Sequence, residues 1–396
     1  MDGASLRYGG GAVDLRKQFI RVCARLQRKS VLIVAHNPKL CARILASSET
    51  KGSFVEHLFA IPAWKPIYSI ESEDGPRWQE LATYCAEVLR GLRWRESMAA
   101  QVAAQVQGLG ARVVDAEQVS RITVRVLYGM LFDKQLSNAD EDLFYQASIE
   151  WRKQIAMKGA GSGEIKALFM RRFHQLIKES KFAEGLNRCS DNPAVWLSVF
   201  AQPFIISPQI NVSDIMAAVF GFLRQDAGLY EDTRRQALAG NDSFLNAVIM
   251  ETMRLRHPFP VLERELTREL EIDGKMVKAG TQVLIPLDQF EQDQVFRPQS
   301  WLQPGERHPF EGLVYGAGQR ICLGKMLAKS LLVEMLRCLL IQVPAERLDP
   351  ERGHLYSGRD NDQNTSFAEF FYQVRRFSNA LWSSALIGLK SKMATR

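Results

Sequence analysis

The sequence predicts a mainly α chain with a minor β part, folded as one domain over residues 1–396. Three observations carry this prediction. Apolar residues return at helical spacing through most of the chain. The period shortens to that of strands only near residues 31–35, 270–285 and 367–374. Neither an internal repeat nor a low-complexity linker divides the chain.

Taken in order, Leu15 to Gln27 reads as an amphipathic helix and Val31 to Ala35 as a short strand. Asn37-Pro38 opens a helix that runs to about Ala46. The loop from Phe54 to Ser72 carries Phe59, Ile61, Trp64, Ile67, Tyr68 and Ile70. So many large apolar groups in a loop either fold over a cavity or pack on the core. Pro76 suits a helix start, and Arg77 to Arg95 continues it. Two or three further helices cover Val102 to Leu186.

Phe204 to Arg224 is apolar and reads as a long buried helix, interrupted near its start by Pro208. Asp242 and Ser243 cap the next helix, Phe244 to Arg256, and His257-Pro258-Phe259-Pro260 ends it. Leu270 to Ile272, the turn Asp273-Gly274 and Met276 to Ile285 form a small hairpin. A glycine-rich loop follows Pro304. Then comes a strong helix, Leu323 to Gln342, with Lys325, Lys329 and Arg337 on its polar side. Short strands return around Phe367 to Val374.

The chain carries 51 Lys and Arg against 44 Asp and Glu, a net charge of +7. The cations are scattered rather than gathered in a stripe with aromatics between, which argues against a nucleic-acid binder. The six cysteines, Cys23, Cys41, Cys85, Cys189, Cys322 and Cys338, include no CxxC pair. That spacing argues against a disulfide framework and a structural zinc site. The early apolar run Val31 to Ala35 is far below the roughly 20 residues of a bilayer-crossing helix. The expectation is a soluble, reduced, cytoplasmic protein with no transmembrane anchor.

The most informative segment is Tyr315-Gly316-Ala317-Gly318-Gln319-Arg320-Ile321-Cys322-Leu323-Gly324. Its glycines permit a tight turn and close approach to a flat ligand. Arg320 can reach a carboxylate. Cys322 falls at a helix N-terminus, where free N–H groups and the dipole favour a thiolate. Gly324 leaves room beneath a ligand. A lone cysteine beside a glycine turn is ordinarily just a buried thiol, so the spacing of all ten residues has to carry the argument.

That spacing resembles the haem-binding loop of the cytochrome P450 family, F-G-x-G-x-R/H-x-C-x-G, with Tyr315 in the Phe position. Three further segments match the family in order. Glu251-Thr252-Met253-Arg254 resembles E-x-x-R, whose i, i+3 spacing puts both charges on one helical face. Phe296 to Trp301 resembles F-x-P-x-R-W, with Ser300 where the family has Arg. Asp74 to Trp78 resembles the start of the helix that presents W-x-x-x-R to a haem propionate, with Ala82 in the Arg position. Arg264 matches a propionate-binding Arg, against the plainer reading of a surface residue in the charged run Glu263 to Glu269.

The resemblance implies a triangular, mostly helical fold with haem b bound through Cys322. It places Tyr315, Gly316, Arg320, Gly324, Trp78 and Arg264 around the cofactor. It also implies oxidation of a small, largely hydrophobic organic substrate by dioxygen, with electrons from a ferredoxin or flavodoxin-type donor meeting the basic helix behind Cys322. The implied pocket walls are the loop Phe59 to Ile70, the helix around Phe204 to Ile215, Val261-Leu262, and Ser366-Phe367.

The long helix departs from the family's acid–Thr pair. The equivalent stretch, Ile206 to Asp214, offers Gln209, Asn211 and Ser213, with Asn211 nearest the Thr position. Asn211 and Ser213 are therefore the candidate catalytic residues. Alternatively the substrate supplies its own hydroxyl, or the chain works as a peroxygenase or a haem isomerase or dehydratase without a redox partner. A haem-binding sensor is a third reading, given Ala82 and Ser300.

Overall fold

A computed structural model of the chain describes residues 30–34, 36–47, 50, 64, 66–71, 73–155, 163–184, 191–259, 261–287, 290, 295–303, 305, 307–349 and 352. The expected helix Leu15 to Gln27, the strands near Phe367 to Val374, and Phe59, Ile61, Ser366 and Phe367 lie outside these residues.

Helices dominate, as expected. They are α1 (Pro38–Ser47), α2 (Gly75–Gly91), α3 (Trp94–Gln107), α4 (Ala116–Phe132), α5 (Asn138–Ile155), α6 (Gly163–Lys178), α7 (Pro193–Leu223), α8 (Ala227–Leu238), α9 (Asp242–Leu255) and α10 (Lys325–Gln342). Side-chain caps set several of their starts: the carboxylate of Asp115 accepts from Gln118 N–H, Asn192 from Ala194 N–H, and Asn241 from Phe244 N–H.

The minor β part is strands β1 (Val31–Ile33), β2 (Val261–Glu265), β3 (Leu270–Ile272), β4 (Lys275–Val277) and β5 (Gln282–Pro286). The hairpin β3–β4 forms as expected, and Asp273 and Gly274 both take positive φ in its turn, 51° and 73°. The expected second strand does not run on to Ile285. It breaks after Val277, and β5 joins a different sheet in the order β1-β5-β2. There β1 runs parallel and β2 antiparallel to β5. Every residue of β5 is buried, so burial rather than alternation marks it, as in a central strand.

The central helix α7 starts eleven residues before the expected Phe204 and is 31 residues long. Pro193 follows the Asn192 cap. Residues Ala201–Ile206 form a π-helical turn. Two prolines explain it. Pro203 cannot donate to the carbonyl four residues back, Val199, which instead accepts from Cys85 Sγ at 3.6 Å. Pro208 likewise cannot donate to Phe204. Ser207 N–H reaches five residues back to Gln202 O. The helix is long and apolar enough to cross a bilayer, yet 72% of its most apolar window is buried inside the protein. It is the core helix, packed against α4, α5 and α9.

Two apolar clusters form the interior. The larger joins α2 to α10 and includes Phe144, Phe169 and Phe173, whose rings lie 5.3–5.6 Å apart centroid to centroid. The smaller joins α1 to the sheets through Ile44, Leu45, Val283 and Ile285. Trp301 packs against both, Tyr315 belongs to the first and Ala317 packs against the second. The glycine loop therefore lies along their seam.

Candidate functional site

Two glycines bend the loop before Cys322: Gly316 with φ 74° and Gly318 with φ 71°. The turn closes when Cys322 N–H donates to Tyr315 O at 2.8 Å. A Cβ on Gly318 would meet Ala46 Cα at 2.7 Å and Leu45 O at 3.1 Å, so α1 presses directly on the loop. Gly318→Ala combines that clash with a left-handed backbone, and we expect a loss of at least about 2 kcal/mol in chemical denaturation.

Water reaches the Cys322 residue, yet protein surrounds its thiol on most sides, and that enclosure governs its ionisation. Burial pushes the thiol up to about 11, although the Gly324 N–H and Lys325 pull the other way. For the metal-free thiol, desolvation outweighs both of these contributions. α10 begins at Lys325, after the Gly324 cap, so Cys322 stands outside the first turn, where the dipole is weaker. A metal cation on this sulfur must displace a proton. Nearby, Tyr315 Oη is buried without a hydrogen-bond partner among the described residues. Burial, then the charge of Cys322, raises the Tyr315 phenol.

Glu251 and Arg254, on α9, are 1% and 8% exposed and form two hydrogen bonds of 2.7 Å. This pair is no surface ornament. The Glu251 carboxylate also accepts the Arg297 main-chain N–H at 2.8 Å and the Trp301 indole N–H at 2.9 Å. Those neutral donors stand where the family has an arginine. The Arg297 contact comes from its backbone, and Ser300 Oγ turns away to Arg297 O at 2.7 Å. Trp301 in turn stacks on His308, ring centroids 3.8 Å apart. His257 links the end of α9 to the loop, its Nε2 lying 2.9 Å from Val314 O. Sequence reasoning missed His257 and His308, whose signals are only single imidazoles between prolines and aromatics.

Trp78, Arg320 and Arg264 converge beside the loop. The Arg320 guanidinium lies 4.6 Å from the Trp78 ring centroid. It donates to Glu73 O at 2.7 Å and pairs with Asp74. Arg264, on β2, is 5% exposed, so the surface reading fails. Its guanidinium donates only to main-chain oxygens among the described residues, Leu45 O at 3.3 Å and Glu263 O at 2.8 Å. Burial, then the charge of Arg320, lowers it to about 10. A buried cation with no ion-pair partner among the described residues, beside a second arginine and a cysteine-bearing glycine turn, fits the propionates of a haem.

Arg264→Leu separates that role from a structural one. Removing an unpaired buried charge should leave the haem-free protein at least as stable. Haem affinity should fall roughly tenfold to a hundredfold, the worth of a charged hydrogen bond. Haem titration beside urea denaturation of the haem-free protein reads both.

The candidate catalytic pair lies elsewhere on α7. Ser213 Oγ donates to Ala116 O on α4 at 2.9 Å, and Asn211 Nδ2 donates to Ser207 Oγ at 3.0 Å. Gln209 is fully buried and bonds Ser120, Ser148 and Ile205 O. Arg152 and Asp214 pair beside it, around a cavity of about 30 Å³. None of the three polar residues hydrogen-bonds to the Cys322 loop among the described residues.

A family model for cytochrome P450 matches residues 237–343, which include both Glu251-Arg254 and Cys322. The chain is similar to 2-hydroxyisoflavanone synthase of Glycine max, 30% identical over 174 residues, covering 39% of this chain and 32% of that protein. It is also similar to the mitochondrial sterol 26-hydroxylase of Homo sapiens, 34% identical over 126 residues, 28% of this chain and 24% of that one. The chain thus spans about a third or less of the length of these curated relatives. Among solved structures it resembles a 6-coordinated cytochrome P450 from Thermus thermophilus, with TM-score 0.62 and 18% identity, covering 82% of this chain and 90% of that one.

Proposed function

This chain belongs to the cytochrome P450 family, and from that premise we propose that it inserts one oxygen atom from dioxygen into a small, largely hydrophobic organic substrate. Cys322 is the observation that carries the reading: a thiol at the foot of a glycine turn that also carries Arg320. Haem b, when bound, would supply oxygen activation, and the Cys322 thiolate would promote it by donating electron density. The rest is the work of side chains. Cys322 donates its sulfur, Gly316 and Gly324 leave space for a flat ring, and Trp78, Arg264 and Arg320 orient two carboxylates. Glu251 and Arg254 hold the loop so that none of these positions drifts.

Electrons would arrive at the face around α10. Lys325 and Lys329 lie there with Ile321, Leu323 and Met326, which are 38%, 38% and 51% exposed. Apolar groups ringed by cations suit an acidic ferredoxin or flavodoxin-type donor, drawn in by charge. Asn211 and Ser213 remain the proposed residues for moving protons along α7.

The engagement of Gln209 and Ser213 with α4 and α5 favours a second reading. A chain without a free relay on α7 would suit peroxide, or rearrangement of a substrate, with no redox partner. Turnover of a compound library with NAD(P)H and a ferredoxin system, run beside peroxide alone, decides between them. Product that requires the electron donor supports the first reading. Product from peroxide alone overturns it.

A further inference from the structure

Residues 68–71, 73 and 74 lie between α7 and the Cys322 loop and are tied to both. At one end Tyr68 N–H donates to Ser198 Oγ, on α7, at 2.6 Å. At the other, Arg320 holds Glu73 O at 2.7 Å and the Asp74 carboxylate. Glu71 stands between the two anchors. A chain covers at most about 3.5 Å per residue, so Glu71 is confined to the gap between the central helix and the cysteine loop. Its charge raises the thiols of both Cys322 and Cys85, in keeping with that position.

Glu71 Oε2 accepts from Gln202 Nε2 at 2.8 Å and from Ser69 Oγ. Both donors are neutral, and no cation pairs with Glu71 among the described residues. Gln202 belongs to the π-helical turn and is 2% exposed. Its amide nitrogen must face the carboxylate, which fixes where its oxygen points. That oxygen, Oε1, is buried with no donor among the described residues. Leaving such an acceptor unpaired is costly. A negative charge and an unsatisfied acceptor are therefore neighbours in a stretch otherwise rich in apolar groups: Tyr68 and Ile70 on the bridge, Ile67 just before it, and Phe204, Ile205 and Ile206 on α7.

We propose that Glu71 and Gln202 form the polar anchor of the substrate pocket, and that the substrate is an apolar molecule carrying a protonated amine. This rests on the reading of Cys322 as the haem ligand. An ammonium group supplies both the N–H donors and the positive charge that the pair lacks. The apolar remainder of the molecule packs against the aliphatic and aromatic neighbours.

The test is isothermal titration calorimetry of the haem-loaded protein with N,N-dimethyldecylamine, undecanol and undecane, molecules of similar apolar size. The two methyl groups hinder the nitrogen from ligating iron. The wild type should bind the amine roughly tenfold to a hundredfold more tightly than either neutral molecule. Glu71→Gln and Gln202→Leu should each reduce that preference, measured as the ratio of amine to undecane affinity in the same variant. Equal binding of all three probes, a preference for the alcohol, or an amine preference that survives Glu71→Gln overturns the proposal. A wild type lacking the spectrum of a thiolate-bound haem would instead strike the reading of Cys322.

Discussion

Replacing Glu251 by Ala should cost about 3–5 kcal/mol of folding stability, the range for breaking a buried ion pair. The loss exceeds one salt bridge because four hydrogen bonds end on this carboxylate: two from Arg254, one from Arg297 N–H and one from the Trp301 indole. Arg254 would stay buried without the carboxylate that accepts two of its hydrogen bonds. The variant should also load haem poorly, since Trp301 spans the seam on which the glycine loop lies. Denaturant unfolding, with haem content measured beside it, checks both effects.

The same carboxylate sets an acid limit. Burial alone would raise Glu251, but hydrogen bonds from Arg254, Arg297 N–H and Trp301 outweigh it and hold the group below its usual value. A carboxylate depressed in the folded state contributes stability above its unfolded value. That contribution disappears as pH falls through the folded one. The wild type should therefore lose stability below about pH 4.3, the unfolded Glu range. Glu251→Gln, which has no charge to lose, should show a shallower decline there.

The second large effect is that of Cys322→Ser. A hydroxyl of similar size leaves the turn intact, because the Cys322 N–H bond to Tyr315 O is made by the main chain. Fold and helix content should persist while the purified protein loses most of its haem. Any haem that remains should lack the thiolate signature in the carbon monoxide difference spectrum of the reduced protein. Cys85 and Cys338 serve as controls. Both are buried and pushed up, to about 12 and about 11, and replacing either by Ala should leave the pigment in place.

Much of this was legible in the sequence where a short segment carries its own constraint. The ten residues around Cys322 encode a turn in local glycines, and the structure builds that turn. The Asp273-Gly274 hairpin and the Asn37-Pro38 helix start are local in the same sense. Features that depend on distant partners were not legible. β5 pairs with residues some 250 positions earlier, so its true sheet could not be read from its own alternation. Arg264 matches a propionate-binding position in the sequence, yet only the burial of β2 against Leu45 rules out an exposed charge. The start of α7 was hidden because Pro203 and Pro208 look like helix breakers, yet a π-helical turn absorbs both. Ser300 leaves a gap in the expected charge cluster, and the gap is filled by an indole and a peptide N–H that no motif would name. Gln202 and Glu71 are far apart in the chain, and only the fold makes them neighbours.

X-ray absorption at the iron edge of the haem-loaded protein reads the ligating atoms themselves. One sulfur scatterer should appear in the first shell of the wild-type iron and be absent from Cys322→Ser. A first shell of nitrogen and oxygen alone, or a sulfur that survives that substitution, would contradict it.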